Sequence, residues 1–164
     1  MVKINHNLNP IVAPELDWVT QFSVQIMPFA EGKINQVIEN IGVLNFYDPI
    51  KDYLKQVEIA SNFRLQTNPN QLELYYSLAL AQAMQTKVKP LLQTLENITK
   101  LDAQNAYAWT YLAFVRLYNF QPKQAEIALN IAEKSENAPP ELKTLKAISS
   151  LMQLNLLKFW QEIK

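Results

Sequence analysis

Tyr75-x2-Leu78-Ala79 is followed 34 residues later by Trp109-x2-Leu112-Ala113, and Leu91-x3-Leu95-x2-Ile98 is followed at the same offset by Ala125-x3-Leu129-x2-Ala132. Self-similarity at a fixed period constrains this chain more than any other feature. A unit of that length cannot bury its hydrophobic face alone, so neighbouring copies stack and share a continuous core. Identities between the two units are few: Leu78/Leu112, Ala79/Ala113, Lys89/Lys123, Leu95/Leu129 and Lys100/Lys134. What repeats is the residue type. A bulky ring precedes Leu and a small side chain, and a spaced small or apolar triplet comes later.

Length and glycine content narrow the architecture. A chain of 164 residues fits one domain with a substantial core. Its only two glycines are Gly32 and Gly42. Glycine supplies tight turns and positive φ, and phosphate-cradling loops depend on it. Its scarcity favours helix over sheet and disfavours a nucleotide loop.

Residues 1–13, with Asn5, Asn7, Asn9 and Pro10 between isolated apolar residues, read as an extended arm. Residues 14–27 fit two patterns. One is a helix through Leu16, Val19 and Ile26; the other is a half-buried strand alternating at Trp18, Thr20, Phe22, Val24 and Ile26. The helical remainder of the chain favours the helix. Residues 1–30 thus form an N-terminal arm with a possible first element, and residues 31–164 a single helical array.

Within the array, Ile34, Val37, Ile38, Ile41 and Leu44 follow helical spacing. Asp48-Pro49 starts the next helix, which runs to about Gln66 and buries Ile50, Leu54 and Val57. Ser61 and Arg64 fall where the later units have Leu95 and Ile98, so this hairpin is an irregular repeat or a preceding cap. Asn68-Pro69-Asn70 breaks the chain, and Glu73 stands three residues after Asn70 as in a capping box. Helices are predicted over 71–84, 88–101, 106–119 and 122–136, because Pro90 and Pro122 are tolerated only near a helix start. Pro139-Pro140 opens a final helix through Leu142, Leu145, Ile148 and Leu151. The tail Leu156, Leu157, Phe159, Trp160 and Ile163 continues that helix or forms a short partner, and caps the array.

The repeat pattern resembles the tetratricopeptide-repeat (TPR) family, well over about residues 70–153 and poorly over 31–66. The family's small residue is Ala79, Ala113 and Ala147 here. Its usual tyrosine three residues later is replaced by Gln82, Arg116 and Ser150, and its usual proline at the repeat end is missing at Ala103 and Asn137. Lys146 replaces the Leu of the third block, which makes that repeat partial or capping. The resemblance implies an all-α fold, a short right-handed α-solenoid of antiparallel helix hairpins. It also implies that first-helix positions line a concave groove. Carried over, these are Glu73, Tyr76, Leu80, Ala83 and Met84 in one repeat and Tyr107, Thr110, Phe114, Leu117 and Tyr118 in the next. The partial third supplies Glu141, Thr144, Ile148, Leu151 and Met152. The Lys/Asn/Arg clamp with which some members hold a terminal carboxylate is absent from these positions. An apolar, aromatic, Met-containing surface remains, suited to a hydrophobic peptide or an amphipathic helix. The competing reading is that these side chains are core, covered by the N-terminal region or by the curl of the superhelix.

Little else in the chain points to chemistry. Fifteen basic and fifteen acidic residues cancel, and no Lys/Arg cluster marks a nucleic-acid surface. The absence of cysteine excludes disulfides, thiol catalysis and Cys-based metal sites. His6 is the only histidine and lies in the arm, away from any ordered Ser/His/Asp or Cys/His arrangement. Carboxylate pairs such as Glu133 and Glu136 read as solvated, without a pocket to separate their pKa values. Asn97-Ile98-Thr99 is a formal glycosylation sequon inside a predicted helix. The first residues are too polar to begin a secretory signal, and no apolar run approaches the roughly 18 residues of a spanning helix. The expectation is a cytoplasmic, non-enzymatic adaptor or assembly factor, without cofactor, metal or membrane insertion, that binds a protein or peptide. Two alternatives stand beside it: a small bacterial secretion-type chaperone shielding hydrophobic segments, and a structural oligomerisation subunit using the Trp160 tail.

Overall fold

The protein's structure, a computed structural model, describes residues 26–36 and 49–162, the ends of the second stretch (49–51 and 155–162) by backbone alone. Among these residues every regular element is helical. A short 3-10 helix, Met27–Glu31, precedes α1 (Pro49–Thr67), α2 (Leu72–Met84), α3 (Val88–Leu101), α4 (Ala106–Tyr118), α5 (Pro122–Glu133) and α6 (Leu142–Glu162). Each helix packs chiefly on its neighbours in the chain, α1 on α2 through to α5 on α6. Contacts that skip a helix join α4 to α6, and the 3-10 helix to α2 and α4. The architecture is an α-solenoid of stacked hairpins.

The starts at Pro49 and Pro122 fall where proline's missing N–H predicts them. Residues 156–162 continue α6 instead of forming a separate helix. The arm at 1–13, most of the segment read as helix or strand, and Val37, Ile38, Ile41 and Leu44 lie outside the described residues; residues 34–36 are helical. The capping box expected from Asn70 and Glu73 does not form. Gln71 is the N-cap of α2 and makes no side-chain cap bond. Its N–H closes a turn onto the Asn68 carbonyl at 3.2 Å, so a backbone turn around Pro69 sets the start one residue later.

The 34-residue offset reappears atom by atom at the turns inside the two hairpins. After α2, the Lys87 N–H donates to the Gln82 carbonyl at 2.9 Å and the Thr86 N–H to that of Ala83 at 3.0 Å. After α4, the Gln121 N–H donates to the Arg116 carbonyl at 2.8 Å and the Phe120 N–H to that of Leu117 at 3.0 Å. Such a double closure is a Schellman end, whose left-handed position usually goes to glycine. This glycine-poor chain fills it with Thr86 at φ 54° and Phe120 at φ 57°.

The helices differ in how many sides they bury. α2, enclosed by α1, α3 and the 3-10 helix, buries Leu74, Tyr76, Leu78, Ala79 and Ala81 around its circumference. α3 is amphipathic, with Leu91, Thr94, Leu95, Ile98 and Thr99 inward at the spacing of a single helical face. One core joins Ile26 and Ala30 to Leu54, Val57, Tyr76, Leu95, Ile98 and Leu112. A second joins α4, α5 and α6 through Leu117, Leu129, Leu142 and Leu145, with Ala113, Ala125, Ala128 and Ala132 as its small residues. Trp109 packs against both cores and donates its indole N–H to the Ala103 carbonyl at 2.9 Å.

Polar side chains also join neighbouring helices. Buried Gln82 accepts from the Thr94 hydroxyl at 2.8 Å, joining α2 to α3. Arg116 donates to the Glu96 carboxylate at 3.1 Å and to the Gln124 carbonyl at 3.0 Å, tying α4 to both of its neighbours. In α1, Ser61 is fully buried, and its hydroxyl has no hydrogen-bond partner among the described residues. The sequon at Asn97 lies inside α3 with Ile98 fully buried.

Candidate protein-interaction face

Tyr107, Tyr111, Phe114 and Tyr118 fall at i, i+4, i+7 and i+11 of α4, a spacing that aligns them along one side of a helix. This aromatic stripe is covered over its first half and open over its second.

The covered half is organised by Asn105, the N-cap of α4. Its side-chain oxygen accepts from the N–H groups of Tyr107 (3.0 Å) and Ala108 (3.4 Å), satisfying amides that the first turn leaves without a partner. Capping in turn aims its amide nitrogen outward. That nitrogen lies 2.9 Å from the Ala30 carbonyl, 2.8 Å from the Asp102 carboxylate and 3.2 Å from the Tyr76 hydroxyl, so its two hydrogens are shared among three acceptors. The Tyr76 hydroxyl donates to Asp102 at 3.5 Å.

Across this polar ring lies the 3-10 helix. The Tyr111 hydroxyl donates to the Phe29 carbonyl at 2.6 Å. The Phe29 and Tyr111 rings are stacked with centroids 4.4 Å apart and planes 4° from parallel, and Phe29 meets Tyr76 edge-on at 6.4 Å. Gly32, at φ 72°, ends the segment against Tyr107, where a Cβ would sit 2.0 Å from a ring carbon. Burial pushes the Tyr76 phenol far above its ordinary value, with the Asp102 carboxylate adding to the effect. Burial raises Tyr111 likewise, helped by Tyr107 and Glu141. Both are neutral hydrogen-bonding groups across the physiological range.

The open half presents Phe114 (57% exposed) and Tyr118 (65%) on α4; on α6, Ile148 (41%) and Leu151 (60%) are also exposed, Leu151 at the repeat position of Leu117. Phe114 and Ile148 are 34 residues apart and occupy the same repeat position. The stripe on α6 extends to exposed Leu154, so the outward side of the last helix is apolar at this point. Met84 is exposed on α2, and Leu80 is half-buried against the first core.

Three side chains expected to line an accessible groove are instead buried. Tyr76 lies beneath Phe29 in the first core. The Thr110 hydroxyl is buried and donates to the Ala106 carbonyl at 2.8 Å. Leu117 belongs to the second core. Positions 110 and 117 lie roughly 80° around α4 from the aromatic stripe at about 100° per residue, which turns them away from the exposed side. The residues the sequence reading passed over are Phe29, Gly32, Asn105 and Tyr111. Asn105 stands in front of a predicted helix, where an N-cap belongs, but its bond to Ala30 spans 75 residues and leaves no local trace.

No model of a known protein family matches this chain, and no curated protein matches it significantly. No helix among the described residues is long and apolar enough to cross a membrane. Among the same residues, no group of three His, Asp or Glu side chains is placed to hold a metal ion.

Proposed function

We propose that the protein is a TPR-type interaction module, a non-enzymatic adaptor or assembly factor that holds an apolar peptide or one face of an amphipathic helix. The observation that carries this reading is the open half of the aromatic stripe on α4. Phe114 and Tyr118 on α4 are exposed, and Ile148 and Leu151 on α6 are exposed as well. Aromatic rings add large contact area at little conformational cost, which is why they recur as binding anchors. An amphipathic helix meets such a surface through anchors at i, i+3, i+4 and i+7.

A photo-activatable phenylalanine analogue at position 114 tests the proposal. It should cross-link to an apolar segment of a specific protein in native extract, whereas the same group at Ile127, on α5, should not. Tyr118→Glu in the probe-bearing protein should abolish that capture, Phe114→Glu in the protein without the probe should leave helicity intact, and Leu112→Glu should unfold the array by burying an unpaired charge. Equal labelling at 114 and 127, or unfolding by Phe114→Glu, would refute the assignment.

A further inference from the structure

We propose that Tyr76, Asn105, Tyr107 and Tyr111 form a peptide-recognition site that the chain's own Pro28–Gly32 fills in cis. The partner it fits is a protein segment carrying the same Phe-Ala-x-Gly turn. This inference rests on the interaction role proposed above and names the ligand for the other half of the stripe.

The lining is the first reason. Ile26 and Ala30 pack in the largely aliphatic first core, but Phe29 is met by the rings of Tyr76 and Tyr111, and two polar side chains read the segment's backbone. Tyr111 and Asn105 donate to the consecutive carbonyls of Phe29 and Ala30. Carbonyl-directed donors beside aromatic platforms are the equipment of an interface.

The segment's own bonding is the second. The Gly32 N–H returns to the Phe29 carbonyl and the Lys33 N–H to that of Pro28. The turn therefore closes on itself and completes no helix of the array. Its polar attachments to α4 come from side chains.

Each motif position then has a physical reason. The aromatic residue stacks on Tyr111. The next residue is small because it is buried, and its carbonyl faces Asn105. Glu31 is exposed, so the third position is free. The fourth must be glycine, since φ is 72° and a Cβ would overlap the Tyr107 ring. Ile26, fully buried three residues before Phe29, anchors the approach.

A tethered segment competes at an effective concentration of roughly millimolar order, so a peptide added in trans should bind the intact protein weakly. Phe29→Ala removes the competing ring while leaving the site's own residues in place. A fluorescein-labelled peptide spanning residues 26–33 should bind the full-length Phe29→Ala protein at least about tenfold more tightly than the unmodified protein. The same peptide carrying Gly32→Ala should bind neither. A folded Phe29→Ala protein with no gain in affinity, or one indifferent to the glycine, overturns the proposal. Should Phe29→Ala lose the fold, hydrogen exchange on the unmodified protein decides. The amides of Gly32 and Lys33 should exchange at least about tenfold faster than those late in α4, by local release of the segment. Equal rates would mean that the segment leaves only on global unfolding, and that it is core. The cross-link at position 114 reads the open half separately, so failure of this inference can be told from failure of the interaction role.

Discussion

Thr86 and Phe120, 34 residues apart, occupy the same left-handed position in the same turn, at φ 54° and 57°. Neither residue is suited to it. A side chain in that conformation costs roughly 1–2 kcal/mol relative to the right-handed helix, and glycine escapes most of this. Phe120 is 83% exposed, so its ring recovers almost nothing by burial. Thr86 has partial compensation, because its hydroxyl donates to the Gln85 carbonyl at 2.7 Å.

Phe120→Gly should therefore stabilise the protein by about 0.5–1 kcal/mol, and Thr86→Gly by less. The melting temperature should rise by roughly 1–4 °C for Phe120→Gly. A lower melting temperature for Phe120→Gly would show that the ring is held by something that offsets the backbone strain.

Gly32 should tolerate no side chain. Gly32→Ala combines a positive φ with direct overlap on Tyr107, and should cost about 2–3 kcal/mol by urea unfolding. Adding Tyr107→Ala should restore the part due to overlap and leave the part due to φ. Purely additive effects of the two substitutions would disprove the steric coupling.

Asn105 caps α4 and holds Ala30 with one side chain. Asn105→Ala should cost about 2–3 kcal/mol, near the sum of a lost cap and lost buried hydrogen bonds. Asn105→Ser keeps an acceptor for the helix amides but cannot reach Ala30, and should fall about midway. If Ser were as damaging as Ala, the cap would contribute nothing.

Much of the helical order could be read directly, because proline and polar breaks act locally. Pro90 and Pro122 have no amide hydrogen to donate, so each had to sit in a first turn, and each does. The left-handed turns were hidden because Thr86 and Phe120 resemble no turn signal; only the offset between them shows the relation. The aromatic stripe was present as Tyr107, Tyr111, Phe114 and Tyr118. Carrying family positions across selected Thr110 and Leu117 and passed over Tyr111. What separates covered from open rings is a contact between Phe29 and Tyr111 across 82 residues, and no local pattern records such a contact.

Alkaline pH should unfold the protein through its buried phenols. Burial raises Tyr53 to about 12 and places Tyr76 and Tyr111 higher still. Above about pH 10 the unfolded chain releases these protons while the folded chain keeps them, so the unfolded state binds fewer protons and stability falls as pH rises. Below about pH 10 this contribution is fully present. Phenolate absorbance from these residues should appear together with the loss of helical circular dichroism, and Tyr111→Phe should make the decline shallower. Ionisation of all three in a still-helical protein would contradict their burial.

Trp109 belongs to both cores, and this leaves the array without a seam at its middle. In a stacked-repeat protein each unit is held chiefly by its neighbours, and a boundary with weak contacts would let one end melt while the other persists. Here one indole serves both interfaces, so release of either hairpin strips the other of its largest shared side chain. Heat should melt α1–α3 and α4–α6 as one cooperative unit, where repeat arithmetic alone would have allowed two.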